Sequence, residues 1–174
     1  MEENTMIAAL RSSKPHPGMS DKLRLFGQFV GSWDVEIINY KPEGEERLAG
    51  EWHFGWVLDG RVVQDVWIAP KRSGRARSVD DFYEYGTTLR FYDSKIEAWR
   101  STWIGPKKGV VLPFIARQVQ DEIVLEGAFE QGVCLRWIFS EITTDSFRWR
   151  AVESKDGWAT LRKGQEMFAR RKPA

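Results

Sequence analysis

EWHFGWVLDGRVVQDVWIAP, residues Glu51 to Pro70, is the stretch whose reading decides the fold. Apolar and β-branched runs flank Asp59-Gly60, a two-residue turn of the type that joins adjacent antiparallel strands with the correct twist. With Leu58 set opposite Arg61, the register pairs Trp56 with Val63, Phe54 with Asp65 and Trp52 with Trp67 on one face. The other face pairs Val57 with Val62, Gly55 with Gln64, His53 with Val66 and Glu51 with Ile68. Three tryptophans, a phenylalanine and a single acid therefore share one side, and which side looks inward governs every functional expectation.

Outward from this hairpin the same period of two recurs. Trp33, Val35 and Ile37 alternate with Asp34 and Glu36 before a Lys41-Pro42-Glu43-Gly44 turn. Downstream, apolar runs at Gly86–Tyr92, Glu97–Ile104, Val110–Val119, Ile123–Phe129, Val133–Ile142, Ser146–Glu153 and Trp158–Arg171 are separated by short polar turns. The count is about ten strands at a turn spacing of roughly 8–12 residues, the signature of an antiparallel sandwich or barrel. No helices alternate with them, which argues against a parallel sheet. Ahead of the strands, Ser20-Asp21 and the helical spacing of Leu23, Phe26 and Val30 predict one short helix closing one end. Residues 1–19, with Ser12, Ser13, Pro15, Pro17 and Gly18, read as a flexible leader, and 20–172 as a single domain. The polar segment from Lys71 to Glu84, carrying Arg72, Arg75 and Arg77 and then Asp80 and Asp81, reads as a long mobile loop.

Composition narrows the function. The 174 residues carry 26 Lys and Arg against 25 Asp and Glu, so no global field draws in nucleic acid or an anionic membrane. No window approaches the ~20 apolar residues of a membrane span, and no apolar stretch resembles a signal peptide, so a soluble, cytoplasmic protein is expected. Cys134, the single cysteine, lies in an apolar run and reads as a buried, inert thiol. With only His16 and His53 beside it, no metal or haem site is expected, and no nucleotide or hydrolase motif suggests a cofactor. The basic residues between Lys71 and Arg77 lack interleaved aromatics and read as a solvated loop. Nine tryptophans are the oddity.

Gly31-Ser32-Trp33 on the first strand after a short helix, the antiparallel meander, and Arg170 or Arg171 near the end of the last strand together resemble the calycin pattern of lipocalins and fatty-acid-binding proteins. The likeness spans about Leu23 to Arg171. Within that superfamily the Trp33–Tyr40 strand, the Trp56–Asp65 hairpin and the Phe91-Tyr92-Asp93, Trp99 and Trp103 positions are most similar to bacterial lipocalin-like domains of unknown function. The resemblance implies an up-and-down barrel that holds a small, largely apolar molecule, with the tryptophan packed at the closed end beside the terminal arginine. It implies no common reaction.

Parity across strands weighs on the facing. Trp99, Ser101 and Trp103, then Leu135, Trp137 and Phe139, then Phe147, Trp149 and Ala151 share one side, and arginines occupy the other. Aromatics point in, which places Trp52, Phe54, Trp56, Asp65, Trp67, Trp99, Ser101, Trp103, Trp137 and Trp149 in the lumen as candidate ligand-binding residues. A small hydrophobic or aromatic ligand is the expected partner, although side chains alone fill some small barrels. An inward Asp65 needs a partner, either an arginine or other barrel group or the ligand itself. Three functions follow: a binding barrel; an isomerase-, cyclase- or lyase-type enzyme moving a proton with Asp65 or His53; and a ligand-free interaction module. If the facing were inverted, Glu51 and His53, with Gln64, would form the site instead. The outward Val57, Val62, Val66 and Ile68 suggest either a homodimer face on the central hairpin or packing within the chain.

Overall fold

The structure, a computed structural model, describes residues 4–74, 84–129 and 132–173. The described elements run, in chain order, α1 (Thr5–Leu10), β1 (Arg11–Ser12), a 3-10 turn (Pro17–Met19), α2 (Ser20–Gly27), β2 (Gly31–Lys41), β3 (Gly44–Val57) and β4 (Val62–Ala69). After a second 3-10 turn (Arg72–Gly74) come β5 (Glu84–Asp93), β6 (Ala98–Gly105), β7 (Val110–Val119), β8 (Glu122–Ala128), β9 (Cys134–Ser140), β10 (Ser146–Ser154) and β11 (Arg162–Arg171). Consecutive strands from β2 to β11 pair antiparallel, and β11 returns to β2. The result is a closed, all-β, up-and-down barrel of ten strands, which leaves no open sheet edge among them.

The central hairpin adopts the expected register at every pair, from Glu51 with Ile68 through Trp52 with Trp67 and Phe54 with Asp65 to Val57 with Val62. Its turn runs with positive φ at Leu58, Asp59 and Gly60, and the Arg61 N–H donates to the Leu58 carbonyl. The inward parity also holds: Trp52, Phe54, Trp99, Phe139, Phe147 and Trp149 are buried.

The helix is shorter than its pattern predicts. α2 begins at Ser20 directly after the 3-10 turn, with no side-chain cap, and ends at Gly27 rather than Val30. Leu23, Phe26 and the following Phe29 are completely buried. They drive into one end of the barrel, where Phe26 meets Trp99 edge-on at 4.9 Å and Phe29 meets Phe139 and Phe147, each at 4.9 Å. Trp33 and Arg171 complete this closed end. Arg171 lies over the Trp33 ring at 4.1 Å and donates to the carbonyls of Gln28, Val30 and Thr144, while the Trp33 indole donates to Phe29. Gly31, at φ +131°, admits this contact, since a Cβ there would stand 2.6 Å from the Arg171 guanidinium. The resemblance left Arg170 or Arg171 open, and the structure selects Arg171.

Of the residues expected to form a flexible leader, 1–3 lie outside the described residues and those from Asn4 on make contacts with the barrel. Asn4 caps α1 by accepting from the Met6 N–H, and β1 pairs Arg11 with Val57 and Ser12 with Trp56. That extends the β3 edge beyond Gly31 with Phe54, where β2 begins. The segment then crosses the hairpin tip: Gly60 donates to Ser12 Oγ, and the His16 N–H donates to the Gly60 carbonyl. A Cβ on Gly60 would lie 2.3 Å from the Lys14 carbonyl, so the strap needs glycine there.

The outward aliphatic strip is covered within one chain. Val57, Val62 and Ile68 are 7, 8 and 1 % exposed, and Val66 is half-buried. Packing within the chain therefore accounts for most of the strip and leaves little apolar area there for a second copy. Cys134 is half-buried at the start of β9 rather than enclosed. Of the expected loop after Ala69, residues 75–83 lie outside the described residues. Its first residues are anchored, because the Lys71 N–H donates to the Ala49 carbonyl and Arg72 binds Glu51. No helix among the described residues is long and apolar enough to cross a membrane.

Candidate functional site: a tryptophan-walled cavity

Because α2 with Phe26 and the following Phe29 fills only one end, inward residues meet two different fates along the barrel axis. Those near α2 form a packed aromatic core. Those toward the opposite end line a cavity of about 230 Å³, walled by Trp52, Trp67, Trp103, Trp137, Trp149, Thr88, Leu112 and Met167 and rimmed by Glu84, Lys108, Val110 and Gln165. Five of the ten expected binding residues thus surround one space, all of them tryptophans. The rings succeed one another edge to face. Trp67 and Trp103 are 6.1 Å apart, Trp103 and Trp137 6.2 Å, Trp137 and Trp149 5.3 Å, and Trp149 and Trp52 6.4 Å, with interplanar angles of 75°, 70°, 64° and 84°. Such tilted contacts are the favoured geometry for aromatic quadrupoles, so the wall is self-supporting without a guest. The Trp67 indole N–H points at the Met167 sulfur at 3.2 Å.

The other five expected residues belong to the packed end. Phe54 stacks among Phe29, Trp52 and Phe147. Trp56 is half-buried and lies against Gly27 of α2, where a Cβ would come within 2.6 Å of its ring. Trp99 is wedged between Phe26 and Tyr92. Ser101 is buried opposite Arg90, and its hydroxyl, like the Arg90 Nε, has no hydrogen-bond partner among the described residues.

Asp65 faces inward, yet its carboxylate is fully engaged. Arg90 Nη1 donates to Oδ2 at 2.6 Å and the Thr88 N–H to Oδ1 at 2.9 Å, with the two side chains 1 and 0 % exposed. The guanidinium is boxed by Phe26, Phe54 and Phe139 at 5.2 to 5.9 Å. Of the two partners open to Asp65, a barrel arginine is the one present. Sequence parity could have found it, since Arg90 shares the inward side with Thr88 and Tyr92 while Arg100, Arg136, Arg148 and Arg150 alternate outward.

Glu51 and His53 lie on the outer wall, as the aromatic-in facing requires. They form a hydrogen-bonded chain: Ser32 Oγ to His53 Nδ1 at 2.9 Å, His53 Nε2 to Glu51 Oε2 at 3.0 Å, and Glu51 to the Arg72 side chain at 2.9 and 3.0 Å. The Arg72 side-chain hydrogen bonds, aided by its backbone N–H and by His53, hold the Glu51 carboxyl far below the ordinary glutamate range despite its burial. Neither residue lines the cavity. Gln64 pairs outside with Thr87 Oγ1.

Four polar residues at the cavity escaped the sequence reading: Glu84, Thr88, Lys108 and Gln165. By sequence Glu84 falls at the end of the polar loop. It is instead the first residue of β5, 4 % exposed, accepting the backbone N–H groups of Tyr85, Lys107 and Lys108. Its position under the Pro106–Lys108 turn is a tertiary fact with no local signal. Gln165 donates to Asn39 Oδ1 at 2.6 Å across the β11–β2 pair. Among the described residues no group of His, Cys, Asp and Glu is arranged to hold a metal ion.

No family model matches this chain, and no curated protein is similar to it. Solved structures are. The S-type phycobiliprotein lyase CPES from Guillardia theta is similar with a TM-score of 0.57 at 12 % identity, over 87 % of this chain and 92 % of that one. At such identity the likeness is one of fold, a closed antiparallel β-barrel. EF1p2_mFAP2b bound to DFHBI aligns over 86 % of this chain and 98 % of its own at 15 % identity, with a TM-score of 0.34, too loose to bear on function.

Proposed function

We propose that this protein is a cytoplasmic binding barrel that holds a small apolar or aromatic molecule in the tryptophan-walled cavity. The observation that carries the reading is the wall itself: five indoles enclose about 230 Å³ that no side chain fills. A cavity of about 150 Å³ accommodates benzene and drug-sized sites begin near ~300 Å³, so the guest is a molecule of one or two rings. Few polar groups converge on the space, Thr88 in the wall and Glu84, Lys108 and Gln165 at the rim, which leaves shape and π-contact as the main selectors of the guest.

A proton-transfer enzyme built on Asp65 or His53 is disfavoured by position. The first is closed in an ion pair below the cavity and the second lies outside the barrel. A hairpin-mediated homodimer lacks the open apolar area it would require.

Native mass spectrometry of freshly purified protein, followed by organic extraction, tests the proposal. A co-purifying small molecule, lost or weakened in Trp137→Ala, is expected. A clean apo mass, together with no quenching of tryptophan fluorescence by any one- or two-ring aromatic, would refute it.

A further inference from the structure

The charge and ring geometry around the cavity go beyond hydrophobic fit. Successive edge-to-face contacts set Trp67, Trp103, Trp137 and Trp149 at steep angles to one another, so the indoles lining the space do not form a single flat wall. The face of an indole carries the negative lobe of its quadrupole and is the best aromatic partner for a cation, most of all where water is excluded.

The fixed charges agree. Glu84 is the buried carboxylate of the lining, and its hydrogen bonds all come from backbone N–H groups, so among the described residues no side-chain cation neutralises it. The buried Arg90 beneath is cancelled by Asp65. Lys108 is the cation of the rim, but its side chain is open to solvent and within the electrostatic reach of Glu46. Among the described residues a buried carboxylate is therefore fixed at the rim, and the positive charge there is left to a solvent-exposed side chain.

We propose that the guest is an organic cation, either a quaternary ammonium or a flat, positively charged heteroaromatic, held between the faces of Trp103, Trp137 and Trp149 with its charge toward Glu84. This inference rests on the cavity being the binding site, and its test separates the two claims. N-Methylquinolinium, 1-methylnaphthalene and 1-naphthoate have nearly the same shape and differ in charge. Each is titrated into the wild-type protein by calorimetry. The cation is expected to bind at least tenfold tighter than the neutral isostere, with the anion weakest. Glu84→Gln, checked for native circular dichroism, should remove most of that preference, and Lys108→Met should preserve or increase it. Equal or tighter binding of 1-methylnaphthalene would overturn the cation claim while leaving the cavity as an apolar site. Failure of all three probes to bind would overturn both. The wild-type comparison decides the matter even if Glu84→Gln does not fold.

Discussion

Replacing Arg90 by Met removes one half of an ion pair that has no access to water. Asp65 would keep the Thr88 N–H but lose the one cation it has among the described residues, leaving a carboxylate at 0 % exposure with a single hydrogen bond. Breaking a buried pair from one side costs about 3–5 kcal/mol, because the remaining charge is stranded. For a domain of this size that lowers the melting temperature by roughly 6–20 °C, taking about 2–4 °C per kcal/mol. Asp65→Leu should be as damaging, because it strands a guanidinium whose Nε already lacks a partner. The double variant Asp65→Leu/Arg90→Met removes both charges and fills the site with apolar atoms. It should recover most of the loss and end within about 1–2 kcal/mol of the wild type, since well-packed apolar replacements of buried pairs are often neutral or stabilising. Urea unfolding followed by tryptophan emission measures all four proteins, and the cycle yields a favourable wild-type coupling of about 4 kcal/mol or more. Single variants that each cost under about 1 kcal/mol, with additive effects in the double, would refute the claim that the pair is desolvated and mutually dependent.

At the closed end, Gly31→Ala should cost about 1–3 kcal/mol in chemical denaturation, from a positive φ and displacement of Arg171. Glu51→Gln should destabilise the protein by about 1–2 kcal/mol at pH 7, a value held down by the solvent exposure of Arg72. Glu51 has its folded pKa depressed, so its stabilisation is full above the ordinary unfolded value near ~4.3 and disappears as the pH falls toward the folded value. Glu166 follows the same sign. Burial pushes it up, but hydrogen bonds from Tyr40, Arg148 and Lys163 outweigh that and leave it lowered. Thermal melts between pH 7 and pH 2 should therefore show the gap between wild type and Glu51→Gln closing below about pH 4, where the carboxylates protonate. His53→Ala should cost about 1 kcal/mol through lost bonds to Ser32 and Glu51 while leaving guest affinity unchanged by calorimetry. Val62→Lys should lower stability by about 2 kcal/mol or more without changing the sedimentation coefficient, because the site is buried within one chain.

Much of this barrel is written in short-range pattern. Asp59-Gly60 fixes the turn, the turn fixes the register, and period two then assigns Trp52, Phe54, Asp65 and Trp67 to the inner side without reference to any other strand. The same alternation places Trp99, Trp103, Trp137 and Trp149 inward, and Gly31-Ser32-Trp33 with Arg170 or Arg171 marks the closed end, the choice of Arg171 falling to the structure. Alternation, however, says which side a residue faces and nothing about its depth along the barrel axis. Depth was decided by how far Leu23, Phe26 and Phe29 of α2 and its C-terminal extension enter the barrel, which commits Phe54, Trp56 and Trp99 to packing and leaves Trp103, Trp137 and Trp149 around open space. Long-range closure likewise supplied what no local window contains: Arg90 as the partner of Asp65, the β6–β7 turn that folds its N–H groups onto Glu84, and the Ser12–His16 strap that covers the hairpin tip. Each joins residues more than twenty positions apart, and their meeting depends on the number of strands and the stagger with which the sheet closes. Those are properties of the whole barrel, not of any strand within it.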